Sequence, residues 1–380
     1  MTAELIYLDY NATTPAASEV IDAVLPWLGR PSNPSSVHRA GRAARAALED
    51  AREQVAVSIG GRSPELYFTS GATESNNIAI RTAVAASRRR RVLTSAVEHK
   101  AVLEPLQALA REGWTIELLP VGRHGGVDVA DVRAALADDV ALVSLHLANN
   151  EVGTIQPVKE VAEAAHAVGA LVHTDATQAL GKIKVSVSDL DVDLASFSSH
   201  KIYGPQGIGA LFSRRRLKPI PLALGGGQER GSRPGTENVA AAVGFGAAAE
   251  LSTWRLDEYG EAAQRHTDLF LAEVTRLVPG VTPVLGPHTS RLANTLSLRC
   301  HGADAEALVS HTPGLAFSTG SACSSMVPEP SHVLQAMLRD VSAAAECVRI
   351  STGWPTSDAE ILIAAKQFSA GVRRIRELTA

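Results

Sequence analysis

The chain has 380 residues, 45% of them hydrophobic and 20% charged, with a formal net charge of -4. This length is more than one ordinary core sustains and predicts two domains, and so small a negative charge gives no general field for attracting nucleic acid or an acidic membrane. Cysteine appears only at Cys300, Cys323 and Cys347, without CxxC spacing, which argues against a disulfide framework or zinc site and for a reducing cytoplasm, with no metal expected.

The opening "MTAELIYLDYNATTP" has acidic residues and no long apolar core, so it does not read as a secretory signal. No apolar run approaches the roughly 20 residues that span a bilayer. From about Leu66 to Phe212, β-rich runs ("ELYFTS", "RRVLTS", "TIELLP", "VALVSLHL", "ALVHTDA", "VDLASFS", "GIGALF") alternate with helical patterns such as "TESNNIAIRTAVAAS" and "VKEVAEAAHAVG". This predicts an α/β fold with a mostly parallel sheet covered by helices. Ligands of such sheets bind beyond the carboxyl ends of the strands. The arginine runs Arg88 to Arg91 and Arg214 to Arg216 flank predicted strands and read as solvated edges.

After a helical segment near Thr236 to Leu256 the pattern changes. Strand-like "ANTLSLRC", helix-like "DAEALVSH", a Gly/Ser loop around Cys323, a helix near His332 to Met337, strand-like "CVRIST" and a last helix from Asp358 suggest a smaller α+β domain. Residues 15–256 are assigned to a large domain, and 1–14 with 257–380 to the small one, with a cleft between them.

The predicted strand ends carry the chemistry. "YFTSGATESNN" runs from a strand into a helix beginning near Thr73, whose free N–H groups suit a phosphate; alone this is weak evidence, since Ser or Thr before a helix is usually just a cap. "VHTDATQ" places Asp175 and Gln178 after a strand, and "SFSSHKIYGPQG" places Ser198, His200 and Lys201 after another. A lysine losing hydration at a strand end can become the Schiff-base amine for a carbonyl cofactor. Asn150 in "HLANNEVGT" and His99 in "VEHKAV" open on the same cleft, and a flat imidazole there can stack on a ring and move protons near neutral pH. A phosphate cradle, an acid and a lysine at separate strand ends are what pyridoxal 5'-phosphate requires.

"SGATESNN", "EHKAVL", "ANNEVGTIQP", "DATQALGK", "SSHKIYGPQGIGAL", "GGGQERGSRPGTEN", "STGSACSS" and "EPSHVL" together resemble the ordered motifs of the cysteine desulfurases, the NifS/IscS-like branch of the class V aminotransferase superfamily. The resemblance implies the PLP-dependent transferase fold and L-cysteine as substrate. Lys201 matches the Schiff-base lysine, Asp175 the partner of the pyridinium nitrogen, His99 the residue stacked on the ring, and Gln178 the donor to the phenolic oxygen. Ala72, Thr73, Ser198 and His200 match the phosphate site. Thr236 matches a threonine given by the other subunit, which implies a homodimer. Arg349 and Asn150 match the groups that hold the substrate carboxylate, and Cys323 matches the cysteine that accepts sulfur as a persulfide for delivery to an acceptor protein.

A loop of Gly and Ser lets such a cysteine travel between cleft and surface. Val97, Ser199 and Pro234 depart from the residues common in relatives without removing a reacting group, and Pro328 stiffens the loop. Selenocysteine lyase, and a non-catalytic sulfur-transfer scaffold, are the alternative readings. The acceptor, whether an iron–sulfur scaffold, a tRNA-thiolation component or a DNA-phosphorothioation component, is not written in the motifs.

Overall fold

A computed structural model describes residues 5–31, 33–319 and 330–379. In chain order the strands are β1 (Ile6–Tyr7), β2 (Leu66–Thr69), β3 (Arg91–Ser95), β4 (Thr115–Leu119), β5 (Val140–Ser144), β6 (Leu171–Asp175), β7 (Leu194–Ser198), β8 (Gly209–Ser213), β9 (Val281–Pro283), β10 (Thr295–Cys300), β11 (Leu315–Ala316) and β12 (Cys347–Ser351). The seven runs that read as strands between Leu66 and Phe212 form one seven-stranded sheet, in the order β2-β8-β7-β6-β5-β3-β4. Within it β8 is antiparallel to both neighbours, and the other pairings are parallel. β2 therefore points the same way as β7, and the carboxyl ends of β2, β3, β5, β6 and β7 all emerge on one side.

The strands β5 and β7 are buried throughout, as sheets covered on both faces require. One face packs Val143, Ala195, Phe197 and Phe212 into a core with Phe245 and the helix Arg39–Ser58. The other packs Val92, Leu142, Leu194 and Leu211 against the helices Ala72–Ala85 and Lys100–Arg111. The helices Ser18–Leu28 and Arg39–Ser58 were not anticipated from the sequence. The second is rich in alanine and arginine, so it carries a narrow apolar stripe of small residues rather than a bold pattern.

A second core forms on the antiparallel sheet β12-β10-β9, where Leu296, Leu298, Val348 and Ile350 meet Phe270 and Phe368 of the long helices Leu256–Leu277 and Asp358–Thr379. Ile6 and Leu8 belong to this core although they begin the chain, because β1 pairs with β11 and Asp9 bridges Ser351. The N-terminal segment thus crosses from the small sheet to the large one, and Asn11 lies at the crossing. On β12, alternation sends Val348 and Ile350 into this core, while Cys347 joins a separate cluster with Val97, Val152 and Met337.

The arginine runs are not simply solvated edges. Arg89 donates to the carbonyls of Val140 and Val168 at 2.9 and 2.8 Å, Arg91 bridges Glu117 and Asp139 at 2.6 and 2.8 Å, and Arg214 and Arg216 reach Asp191 and Asp193. Acceptors on neighbouring strands and turns, invisible to a local reading, supply the partners. Among the described residues no helix is long and apolar enough to cross a membrane.

Candidate active site

Where the strand ends meet Asn11 and β12 lies a cavity of about 580 Å³. Its wall includes Ala72, Thr73, His99, Asn150, Asp175, Gln178, Ser198, His200, Lys201 and Arg349. Two residues singled out in the sequence are not among these. Thr236 is exposed, on the loop before the helix Val239–Trp254, and Cys323 lies outside the described residues.

β2 ends in a turn at Gly71, and the helix Ala72–Ala85 starts there with no side chain capping it, so its first N–H groups face the cavity beside Ser198 and His200. The turn sits directly on β8. A Cβ on Gly209 would stand 2.6 Å from the Gly71 Cα and 2.5 Å from the Phe197 carbonyl, so only glycine lets these backbones approach.

Asp175 closes β6 with both oxygens oriented, Oδ2 accepting from Asn76 Nδ2 at 2.7 Å and Oδ1 from the Thr177 N–H at 3.0 Å. Behind it, His173 is fully buried between Ser144 Oγ at 2.8 Å and Ser196 Oγ at 3.1 Å. Burial pushes its pKa down from 6.5 to about 4. His200, near Thr13 Oγ1 at 3.0 Å, is likewise pushed down to about 4, first by burial and then by Lys201 and Lys182.

These shifts have a sign that can be tested on protein without added ligand. A histidine kept neutral by the fold stabilises above its unfolded pKa near 6.5, and that contribution is lost as pH falls towards about 4. For His173 the loss is on the order of 3 kcal/mol. Melting temperature should therefore fall steeply between about pH 6.5 and 4, and less steeply in His173→Asn, which cannot take up the proton. Equal slopes in the two proteins would remove His173 from the account.

Lys201, just past β7, donates from Nζ to the carbonyls of Asn11 and Ala12 at 2.6 and 2.7 Å. His99 accepts the Ala101 N–H on Nδ1 at 3.1 Å, which fixes the ring and leaves the neutral ring's proton on Nε2. Arg349 donates to the Asn150 carbonyl at 3.0 Å and to Asp9 Oδ1 at 2.5 Å, while its buried Nε has no hydrogen-bond partner among the described residues. Arg349 lines the cavity, and a guanidinium there suits a carboxylate through charge-assisted hydrogen bonds.

Several participants were not singled out from the sequence. Asn11 is the hub, giving Nδ2 to the Asn150 carbonyl at 3.1 Å and to Thr295 Oγ1 at 2.8 Å. Lys182 reaches Asn11 and Gln178 from behind the wall. His146, on the wall, takes its orientation from Glu98 Oε1 at 2.9 Å. Glu151 is buried, and that burial raises its pKa to about 7 against the hydroxyl that Ser331 donates to it. The available signal was Lys182 standing four residues after Gln178, a spacing that places two side chains on one side of a tight turn.

The sequence model of the aminotransferase class-V family matches residues 6–363. The chain is 44% identical over 361 residues to the cysteine desulfurase IscS of Dictyoglomus turgidum, covering 94% of this chain and 91% of that protein. Among solved structures, a NifS-like protein superposes with a TM-score of 0.89 at 34% identity, covering 99% of each chain. SspA in complex with cysteine superposes with a TM-score of 0.80 at 33% identity, covering 91% of this chain and 98% of that one.

Proposed function

This chain belongs to the aminotransferase class-V family, among its pyridoxal phosphate-dependent cysteine desulfurases, and from that membership we propose the residue roles and sulfur route of its reaction. The observation that carries them is the convergence of Lys201, Asp175, Gln178, His99 and Arg349 on one cavity. The residues present fit the cofactor. The uncapped helix start at Ala72 offers N–H donors to a phosphate, and the hydroxyl of Thr177, a residue of the wall, is buried without a hydrogen-bond partner among the described residues.

Bound pyridoxal phosphate supplies the electron sink that lets bonds at the substrate α-carbon break and form. Backbone N–H groups of Ala72 and Thr73, with Ser198 and His200, would hold its phosphate. Asp175 would pair with the ring nitrogen, Gln178 would donate to the ring oxygen, and His99 would hold the ring. Arg349 and Asn150, both on the wall, would hold the carboxylate of L-cysteine. Lys201 Nζ would provide the amine that attaches the cofactor and would move the α-proton of the substrate. His99 Nε2 serves the proton at the substrate thiol.

The Cys323 thiolate attacks the substrate sulfur. A sulfur–sulfur bond forms as the carbon–sulfur bond breaks, and the carbon keeps the electron pair and gains a proton. L-cysteine and the Cys323 thiol thus become L-alanine and a Cys323 persulfide, which passes to an acceptor protein. Cytoplasmic operation suits a chain whose two described cysteines are free. The test is alanine release from L-cysteine by the purified, pyridoxal phosphate-loaded protein, with an equal amount of sulfur transferred to added thiol. Absence of alanine would overturn the assignment.

The homodimer has its own test. The exposed Thr236 is assigned to the phosphate site of the partner subunit. Thr236→Asp sets a negative charge against the phosphate, and Lys201→Ala removes the reacting amine, so each variant homodimer should be inactive. In a heterodimer of the two, donation across the dimer gathers both defects into one site and leaves the other whole. About half of wild-type turnover per dimer is expected. Donation within each chain leaves both sites broken, and verified heterodimers without activity would show that.

A further inference from the structure

Lys182 is 8% exposed, and burial together with Lys201 and Arg349 holds its pKa well below the usual lysine range. Burying an amine is costly, and its acceptors here are neutral amide oxygens rather than a carboxylate. Nothing in the residue roles assigned above uses it. We propose that Lys182 is a positioning residue that fixes which end of the Gln178 amide faces the cavity, and so keeps the donor turned towards the ring oxygen; this rests on the pyridoxal phosphate reading.

The geometry follows from what an amine can do. Lys182 Nζ donates to Gln178 Oε1 and, at 3.0 Å, to Asn11 Oδ1. A lysine ammonium only donates, and even the neutral amine has a hydrogen for each amide oxygen, so both oxygens are drawn towards it. Gln178 must then turn Nε2 the other way, where one hydrogen meets the Asn11 carbonyl at 2.9 Å and the second remains for the cavity. Asn11 must turn Nδ2 to the Asn150 carbonyl, which also receives Arg349 at 3.0 Å. Asn294 Nδ2 also donates to Asn11 Oδ1, at 3.0 Å, and holds that amide on its own, so the sense that depends on Lys182 is that of Gln178, whose Oε1 Lys182 draws away from the cavity. A flipped Gln178 would present an oxygen to the ring oxygen where a donor is needed.

The visible band of protein-bound pyridoxal phosphate titrates with the proton shared by the ring oxygen. An N–H donor aimed at that oxygen favours its anionic form and lowers the titration midpoint. Lys182→Met should therefore raise the midpoint by about one pH unit, a tenfold change in proton affinity. Gln178→Ala should raise it similarly, and the double variant should match Gln178→Ala alone, because Lys182 acts through that amide. An unchanged midpoint in Lys182→Met, or additive shifts in the double variant, would overturn the proposal. Melting curves without cofactor report whether each variant folds, and Lys182→Leu, which likewise has no donor, carries the same comparison if the methionine variant does not. Wild-type protein that develops no band with pyridoxal phosphate would refute the cofactor reading and this proposal together, whereas a wild-type band whose midpoint is indifferent to Lys182 refutes this proposal alone.

Discussion

Lys201→Ala is expected to lower alanine formation from L-cysteine by a factor on the order of 10⁴ or more and to abolish the yellow colour of the loaded protein. Lys201 stands one residue beyond the Ser198–His200 pair at the end of β7, on the cavity wall, with its ammonium pulled inward by two backbone carbonyls. The other buried lysine is no substitute. Lys182 is turned towards Gln178 and Asn11 and is not on the wall. On the proposed roles, removing the Lys201 side chain takes away both the covalent attachment and the amine that moves the α-proton, and among the described lining residues no other lysine is present. Visible and ultraviolet spectra with a steady-state alanine assay check both. Turnover surviving in the alanine variant would sink the assignment of Lys201.

Much of this arrangement was legible in the sequence because its parts are local. A strand that ends in a polar cluster announces itself through alternation followed by Gly, Ser, Asp or Lys, which is how Asp175, Ser198 and Lys201 could be named. The antiparallel insertion of β8 was not legible, since "GIGALF" reads the same in either direction. Nor was the network under the wall. Asn11 makes its contacts with residues more than 130 positions away, including Asn150 and Thr295, and no window of sequence holds both partners. The same holds for Arg349, whose link to Asp9 joins the two ends of the chain. Hydrophobic periodicity reports which face is buried, but partners of buried polar groups are chosen by topology. Glu98 is the clearest instance. It precedes His99 in a quoted motif, yet its side chain is fully buried and serves His146 from the neighbouring strand end.

Treatment with L-cysteine should put sulfur on Cys323 and on neither other cysteine. Cys300 and Cys347 are both buried on regular strands, and burial pushes each thiol up to about 12. At neutral pH a thiol with such a pKa is ionised only on the order of once in 10⁵ molecules, and the thiolate is the nucleophile. Cys347 also spends its hydrogen on the Ala343 carbonyl at 3.1 Å, and Cys300 is sealed into the core with Phe270 and Phe368. Neither could take sulfur from a substrate held at Arg349 and then offer it to another protein without breaking the sheet that holds it. The proposed sulfur-accepting role of Cys323 rests on its motif, and the two buried thiols do not suit that role. Alkylation after brief exposure to L-cysteine, followed by digestion and mass measurement, should find one added sulfur on the peptide containing Cys323. Cys323→Ser should still take up pyridoxal phosphate and turn yellow, and should change its spectrum when L-cysteine binds, yet lose alanine release by a factor on the order of 10³ or more because no thiolate receives the sulfur. Full turnover in the serine variant, or added sulfur confined to Cys300 or Cys347, would mean that the sulfur leaves this protein by another route.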